Sequence, residues 1–459
     1  MMHPRLPNWL THEWLKLFAG HFASTVRLAG PVVATRAGIL ILVAVDIAMT
    51  GRAGELELAY LSIGLAPQIL LLLIGIGMLF GTVVLVSQAD GAGEHHLCGR
   101  IWRLAVVHGV AMGVVFGVLC FGGEWFFGLV GQQGDIARGG GVVMAMFGWG
   151  MPPIFVAIAT WLFLEGIGRP LPGMVVIIGA NIANALLNWI FIFGNVGAPE
   201  LGATGAVLAT TIVRWMMAAS LVGYTVFMPG HARYGVRGGM AVTWAKARIF
   251  RRIGFPFAIA QGIEAGAFST VILFAGYLGT ASLGGYQIAQ NMIALVFMCA
   301  IGIGTATGVR VGNAVGRGDS AGVKWAGWTG ILVTILAMLI AAALFVSAPG
   351  ELVGVYSQDA DVIAAAVPTV VVAAGMLVFD GMQAVLMSAL RGVGDVWLPV
   401  ICHGIAFWGF MVPGAALFAF SFGFGTPGLM LGAWVGVVVA AVLLAARFSV
   451  VSSRAILRL

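Results

Sequence analysis

The chain has 459 residues, of which 61% are hydrophobic and 9% charged, with a formal net charge of +6 and a mean hydropathy of +1.04. Soluble domains carry roughly 25% charged residues, so this chain cannot cover its surface with polar groups in water; its solvent is lipid, which admits only helices or closed barrels. A soluble enzyme, a disulfide scaffold, a disordered protein and a nucleic-acid binder are thereby excluded, and the pI near 9.5 reflects positive charge spread over loops.

Long apolar runs, rather than short alternating segments, select helices. At the N-terminus, Leu10, Trp14, Leu17 and Phe18 follow i, i+4, i+7, i+8 spacing. This predicts an amphipathic helix on the membrane surface, not a cleavable signal, since Glu13 and scattered histidines interrupt any short apolar core. Twelve apolar spans then begin near residues 27, 58, 101, 141, 172, 202, 252, 284, 325, 362, 397 and 427. Of the 23 Lys and Arg, two (Arg52 and Arg138) fall on one side of these spans, two (Arg36 and Arg214) fall within spans, and the remaining 19 fall on the other side. Cytoplasmic loops hold the excess of Lys and Arg, so both termini are expected inside. One missed or extra span would destroy the asymmetry.

The two halves repeat. Gly30-Pro31 opens span 1 and Gly254-Phe255-Pro256 opens span 7. Ser87 to Glu94 follows span 2, and Gly312 to Asp319 follows span 8. Leu164 to Arg169 ends span 4, and Leu390 to Asp395 ends span 10. These three pairs share an offset of 225 or 226 residues, and Pro199–Gly205 pairs with Pro427–Gly432 before spans 6 and 12. Six spans repeated by six keep their orientation, which implies two lobes related by an axis along the membrane normal, a design suited to alternating access. The expected organisation is a cytoplasmic segment 1–26, an N-lobe 27–228, a basic linker 229–251, a C-lobe 252–448 and a tail 449–459.

Ionisable groups inside a membrane are costly and mark function. Three of the 17 acids fall inside spans: Asp46, Glu264 and Asp380. Asp46 lies about 19 residues into span 1, roughly 28 Å along the helix axis. Asn184 and Asn188 share one face of span 5 at similar depth, and Thr210 of span 6 is in the same outer half. These oxygens can converge on a proton or a small hard cation such as Na+; alternatively, the asparagines simply tie helices together. Glu264 and Asp380 form a second candidate pair able to share a proton or a monovalent cation. Loss of water and a nearby like charge both favour the protonated carboxyl, so such groups can load and unload protons. Arg36 and Arg214 are candidates for pairing or snorkelling. Gln261, Gln287, Gln290 and Asn291 can line a cavity or serve packing.

Cys98, Cys120, Cys299 and Cys402 lie far apart, without metal spacing, and the histidines show no ligand pattern; His95–His96 is read as a solvated loop. No nucleophile cluster or cofactor motif is present, so no enzyme and no cofactor are expected. No GxxxxGK[ST] motif occurs either, so the energy source is not ATP hydrolysis and no ATPase subunit is expected.

In order and spacing, these motifs resemble the multidrug and toxic compound extrusion (MATE) family over about residues 25–450. They comprise Pro31 with Val45-Asp46 and Met49, Gln88 to Gly93, Asn184-Ala185-Leu186-Leu187-Asn188 through Gly194, Gly254-Phe255-Pro256 with Glu264, and Gln287 to Asn291. Glu264 together with Asp380 looks like the bacterial NorM-like branch. The resemblance implies an all-α integral membrane fold of the MATE/MOP type, with 12 transmembrane helices in two pseudo-symmetric six-helix bundles. It implies efflux of organic cations in exchange for H+ or Na+ by a secondary multidrug antiporter. Asp46, Asn184, Asn188 and Thr210 would form an N-lobe cation site, with Glu264 and Asp380 the C-lobe site. Its partners would be small organic cations and membrane lipid, and its state a monomer in the bacterial inner membrane. One position departs from the family: NorM-like chains often carry Tyr one turn before the span-10 acid, where this chain has Met376. Met offers no hard ligand, which favours H+ or the N-lobe site; Met376 is then a cavity-lining candidate. A lipid-linked oligosaccharide flippase is the alternative. It would need several basic residues in its cavity, whereas the spans hold two arginines against three acids.

Overall fold

A computed structural model of the chain describes residues 12–132, 134–239 and 244–454, with the side chains of 12–18 and 244–246 outside that description. Leu10 and the side chains of Trp14, Leu17 and Phe18 therefore lie outside the described residues. Among those residues there is no strand, and twelve helices are long and apolar enough to cross a membrane. They are α1 (Ala19–Ala53), α2 (Glu55–Gly91), α3 (His95–Cys120), α4 (Gly134–Gly166), α5 (Leu171–Phe193), α6 (Gly202–Phe227), α7 (Ala247–Tyr277), α8 (Thr280–Gly316), α9 (Ser320–Ser347), α10 (Ala360–Val393), α11 (Trp397–Ser421) and α12 (Gly425–Ser452). Helix is the outcome lipid demands, because each backbone N–H and C=O must find its partner within the segment. Apolar side chains such as Val118, Leu273 and Ile340 remain exposed, as helices bathed in hydrocarbon require.

Pro31 and Pro256 were expected to open spans 1 and 7. Both instead lie inside continuous helices, α1 and α7. The helix runs on past the apolar stretch that composition reveals, and proline is tolerated within membrane helices because local adjustments re-satisfy the freed carbonyl. Glycine and aspartate punctuate the connections. Asp319 caps α9 by accepting from Gly322 N at 2.7 Å, and Asp359 caps α10 by accepting from Asp361 N and Val362 N at 2.9 and 3.2 Å.

The chain divides into two compact units, one spanning Ala34–Gly262 and the other combining residues up to Val33 with Ile263–Leu459. In the first, α4 is the hub, packing against α2, α3 and α6, while α5 packs on α6. In the second, α10 is the hub, packing against α8, α9 and α12, while α11 packs on α12. The second pattern is the first shifted by six helices, so the repeat in sequence is a repeat in packing. Small residues allow the close approaches: a Cβ at Gly113 of α3 would sit 2.4 Å from Pro152 Cα of α4, and one at Gly432 of α12 would sit 2.0 Å from Ala415 N of α11. In the first unit, residues 229–239 are docked rather than loose. Arg103 donates to the carbonyls of Gly235, Val236 and Gly239 at 2.5, 2.9 and 3.1 Å, Arg169 donates to Pro229 O at 2.8 Å, and Tyr234 is buried, which pushes its hydroxyl above the usual tyrosine value.

Candidate functional site

In the first unit, α1, α5 and α6 bring Asp46, Asn184, Asn188 and Thr210 together. The start of α6 fixes where Thr210 stands. Gly202 has a φ of +53°, a conformation that suits glycine, and the next backbone N–H, of Ala203, donates to the Glu57 carboxylate of α2 at 2.6 Å. An anion at a helix N-terminus is favourable. From there, two turns of α6 carry Thr210 to α1 and α5.

Asn188 Nδ2 donates to Asp46 Oδ1 at 2.7 Å, and Thr210 Oγ1 donates to Asp46 Oδ2 at 2.6 Å. Asn188 Nδ2 also reaches Asn184 Oδ1, and Asn184 Nδ2 reaches Thr210 Oγ1, both at 3.2 Å. The four side chains thus close a ring in which both carboxylate oxygens are met by neutral donors. All four are buried. Asn188 Oδ1 is buried without a hydrogen-bond partner, leaving one strong acceptor beside the carboxylate. Arg214, one turn beyond Thr210 on α6, lies within electrostatic reach of Asp46. It is absent from the ion pairs among the described residues. Its guanidinium lies 5.2 Å from the centre of the Phe147 ring.

A second acid belongs to this interior. The sequence reading left Glu165 at the end of span 4. The structure buries it at 2% exposure, with Arg36 Nη2 donating to both carboxylate oxygens at 3.1 Å and the guanidinium 5.2 Å from the Trp161 ring centre. Arg36 is thus one half of an inter-helix ion pair. Asp46, Thr210, Arg36 and Arg214 all border one cleft, whose other walls are mostly aliphatic and aromatic.

In the second unit, Asp380 of α10 is buried and accepts from Gln383 Nε2 at 3.2 Å. Gln383 Oε1 lies 2.7 Å from His403 Nε2 of α11. His403 is 3% exposed and meets Phe407 edge-on at 4.9 Å between ring centres. Glu264 of α7 is half-buried and within electrostatic reach of Asp380 and Arg391; no described hydrogen bond joins the two acids. Arg391, read from sequence as a loop charge, is 9% exposed on α10.

Of the cavity-lining candidates, Gln287 and Asn291 are exposed one turn apart on α8, and Gln261 is half-buried. Met376 is fully buried in the apolar core of the second unit, beside Leu377 and Ala373. Sequence reasoning missed Gln383 and His403. The three-residue spacing of Gln383 from Asp380 was the available signal; His403, 20 residues further on, gave none. No group of three or more His, Cys, Asp or Glu among the described residues could hold a metal ion.

Residues 31–190 and 256–417 match the MatE family model, so the matched blocks begin at the two repeat prolines. The chain belongs to the MatE family. It is 30% identical over 442 residues to a protein described as probable multidrug resistance protein NorM from Mesorhizobium japonicum, covering 94% of each chain. It is also 30% identical over 432 residues to a protein of that description from Caulobacter vibrioides, covering 94% of this chain and 91% of the other. Its fold is similar to the eukaryotic MATE transporter AtDTX14, with a TM-score of 0.85 at 21% identity over 94% of this chain and 96% of that one. It is likewise similar to an outward-facing multidrug resistance MATE family transporter of the MOP superfamily, with a TM-score of 0.87 at 17% identity over 97% of this chain and 100% of that one. This MatE protein is a multi-pass membrane protein with twelve candidate spans.

Proposed function

We propose that the chain is a secondary multidrug exporter that releases organic cations in exchange for H+ or Na+ by alternating access, with Asp46 as the coupling carboxylate. The proposed setting is a bacterial inner membrane, with both termini cytoplasmic and the protein acting as a monomer without a cofactor. One observation carries the reading. Asp46 is buried with both oxygens held by neutral donors, and an unfilled acceptor, Asn188 Oδ1, stands beside it. Such a group can exist as a hydrogen-bonded anion or accept a small cation without dismantling an ion pair. The aliphatic cleft next to it offers an amphipathic guest somewhere to bury its body.

The energetic logic is differential binding. Ionised, Asp46 attracts a cationic drug. Neutralised by a proton or Na+ outside, it loses that attraction and the drug leaves. Return of the ion to the cytoplasm restores the charge. Glu264 and Asp380 form a second acidic centre, proposed to load the same ion. The supporting chemistry comes from the relatives named NorM, whose printed description is multidrug resistance. The test is ethidium efflux from proteoliposomes under an imposed pH gradient or an imposed Na+ gradient, each alone. Export driven by one of them is expected, and Asp46→Asn lowers it about a hundredfold. Wild-type efflux from Asp46→Asn, or no response to either gradient, sinks the assignment.

A further inference from the structure

His403 is a buried imidazole of the second unit to which the export reading gives no task. Its Nε2 lies 2.7 Å from Gln383 Oε1, whereas its Nδ1 is buried with no hydrogen-bond partner. A charged imidazole would carry a proton on that stranded nitrogen and so bury an unpaired donor; the ring is therefore neutral. The other end of the chain sets its direction. An ionised Asp380 only accepts, so Gln383 turns its Nε2 donor towards Oδ1, 3.2 Å away. Gln383 Oε1 then faces α11 and only accepts, which places the imidazole proton on Nε2. His403, Gln383 and Asp380 thus form a one-way run of N–H donors from α11 to α10. All three are buried, and in a low dielectric each such bond polarises the next. Phe407 meets the imidazole edge-on at 4.9 Å between ring centres, which steadies the ring.

Glu264 of α7 and Arg391 of α10 are the charged groups within electrostatic reach of this chain. The charged residues of the neighbouring helices are placed elsewhere. Arg310 of α8 is engaged with Thr25 and His21, Arg447 of α12 with Asp395, and Lys324 of α9 is exposed. Against Gly381, the residue after Asp380, α9 sets Thr334 and Met338. The titratable Cys299 and Tyr286 of α8 belong to the surrounding apolar core, and Cys402 of α11 lies in the field of Asp395 and Arg447. We propose that His403 is a positioning residue for the second acidic centre. Its Nε2–H pins the Gln383 amide with the donor end towards Asp380, so the ionised carboxylate keeps its hydrogen bond and α11 is tied to the charge on α10. Without that pin the amide is free to present its oxygen to Asp380, an arrangement that suits only the protonated acid. What this means for transport rests on the reading above that this centre loads the coupling ion; the hydrogen-bond chain itself does not.

Dicyclohexylcarbodiimide reads this chain directly, because it modifies protonated carboxyls in apolar surroundings. The purified full-length protein in detergent is treated across a pH series, and the adduct at Asp380 is quantified by peptide mass spectrometry. Labelling of the wild type is expected to fall as pH rises. His403→Phe keeps a flat ring against Phe407 but has no N–H, and its half-labelling pH is expected about one unit higher, the scale of one hydrogen bond to a charged group. His403→Gln returns an N–H donor near the place of Nε2 and is expected to follow the wild type. A merely structural histidine would leave the profile of His403→Phe in place. Gel filtration shows whether each variant is folded, and His403→Leu, which also lacks the donor, takes the place of His403→Phe if that variant is not. An unshifted profile in the donorless variant, a His403→Gln profile displaced as far as that of His403→Phe, or Asp380 labelling that does not respond to pH overturns the proposal. Ethidium export separates the two layers. Export that falls in the Glu264→Gln, Asp380→Asn variant, with no labelling shift in His403→Phe, removes only the role of His403. A labelling shift with export untouched in that double variant upholds the positioning and removes the second centre from coupling.

Discussion

Asp46 and Asp380 are both buried carboxyls, 6% and 4% exposed, yet they are held in different ways. Asp46 of α1 takes its two donors from α5 and α6. Asp380 takes one donor, Gln383, from its own helix, and reaches α11 only through that amide and His403. The first site therefore exists only while three helices keep their places, so a change of charge on Asp46 bears on how those helices pack. The second is organised along α10 and depends on α7 only through electrostatic reach to Glu264. The cations differ too. In the first unit Arg36 donates through Nη2 to both oxygens of Glu165, whereas in the second Arg391 shares its field between neighbours, Glu264 and His403 among them.

The sharpest way to break this comparison is to unpair the first unit. Glu165→Ala strands a largely buried Arg36 and is expected to cost about 3–5 kcal/mol, read as a drop in thermal stability in detergent. Arg36→Met with Glu165→Met should recover most of that loss, because a well-packed apolar pair replaces a buried ion pair at little cost. Asp46→Asn comes next, with gradient-driven ethidium efflux falling about a hundredfold, the upper end of typical coupling between two ligands, while the elution profile stays that of the wild type. Glu264→Gln with Asp380→Asn should lower efflux about tenfold. A fall as deep as that of Asp46→Asn would make the two acidic sites equal partners, and no fall would leave Asp46 as the sole coupling group. The smallest effect is expected from Glu57→Gln. It weakens the anion at the start of α6 by about 0.3–1 kcal/mol, a slight loss of melting temperature with efflux retained.

Much of the fold was legible because lipid forces it. Twelve apolar runs became twelve helices, and the motif offset between Pro31 and Pro256 reappeared as hub helices α4 and α10 with matching neighbours. The Asp46 ring was legible as well, since Asn184 and Asn188 sit one turn apart and the depths of Asp46 and Thr210 could be counted. The Arg36–Glu165 pair was not, for a physical reason. Its members are 129 residues apart and on different helices, so no periodicity links them, and Glu165 stands beside glycines that read as a loop. Helix ends were misplaced for a related reason. Composition marks where a helix meets hydrocarbon, not where its hydrogen bonds stop, so α1 and α7 begin well before their prolines.

Glu165 and Arg391 stand at corresponding places in the repeat, at the ends of α4 and α10. Their counterparts on α1 and α7 differ as well: Arg36 matches the neutral Gln261, so the partner charge has no equivalent there. The duplicated halves have kept their backbone while exchanging sign at one junction. The halves are consequently no longer interchangeable: a chain assembled from two copies of either one would repeat a single polarity, and the asymmetry between an engaged arginine and a shared one would vanish with it.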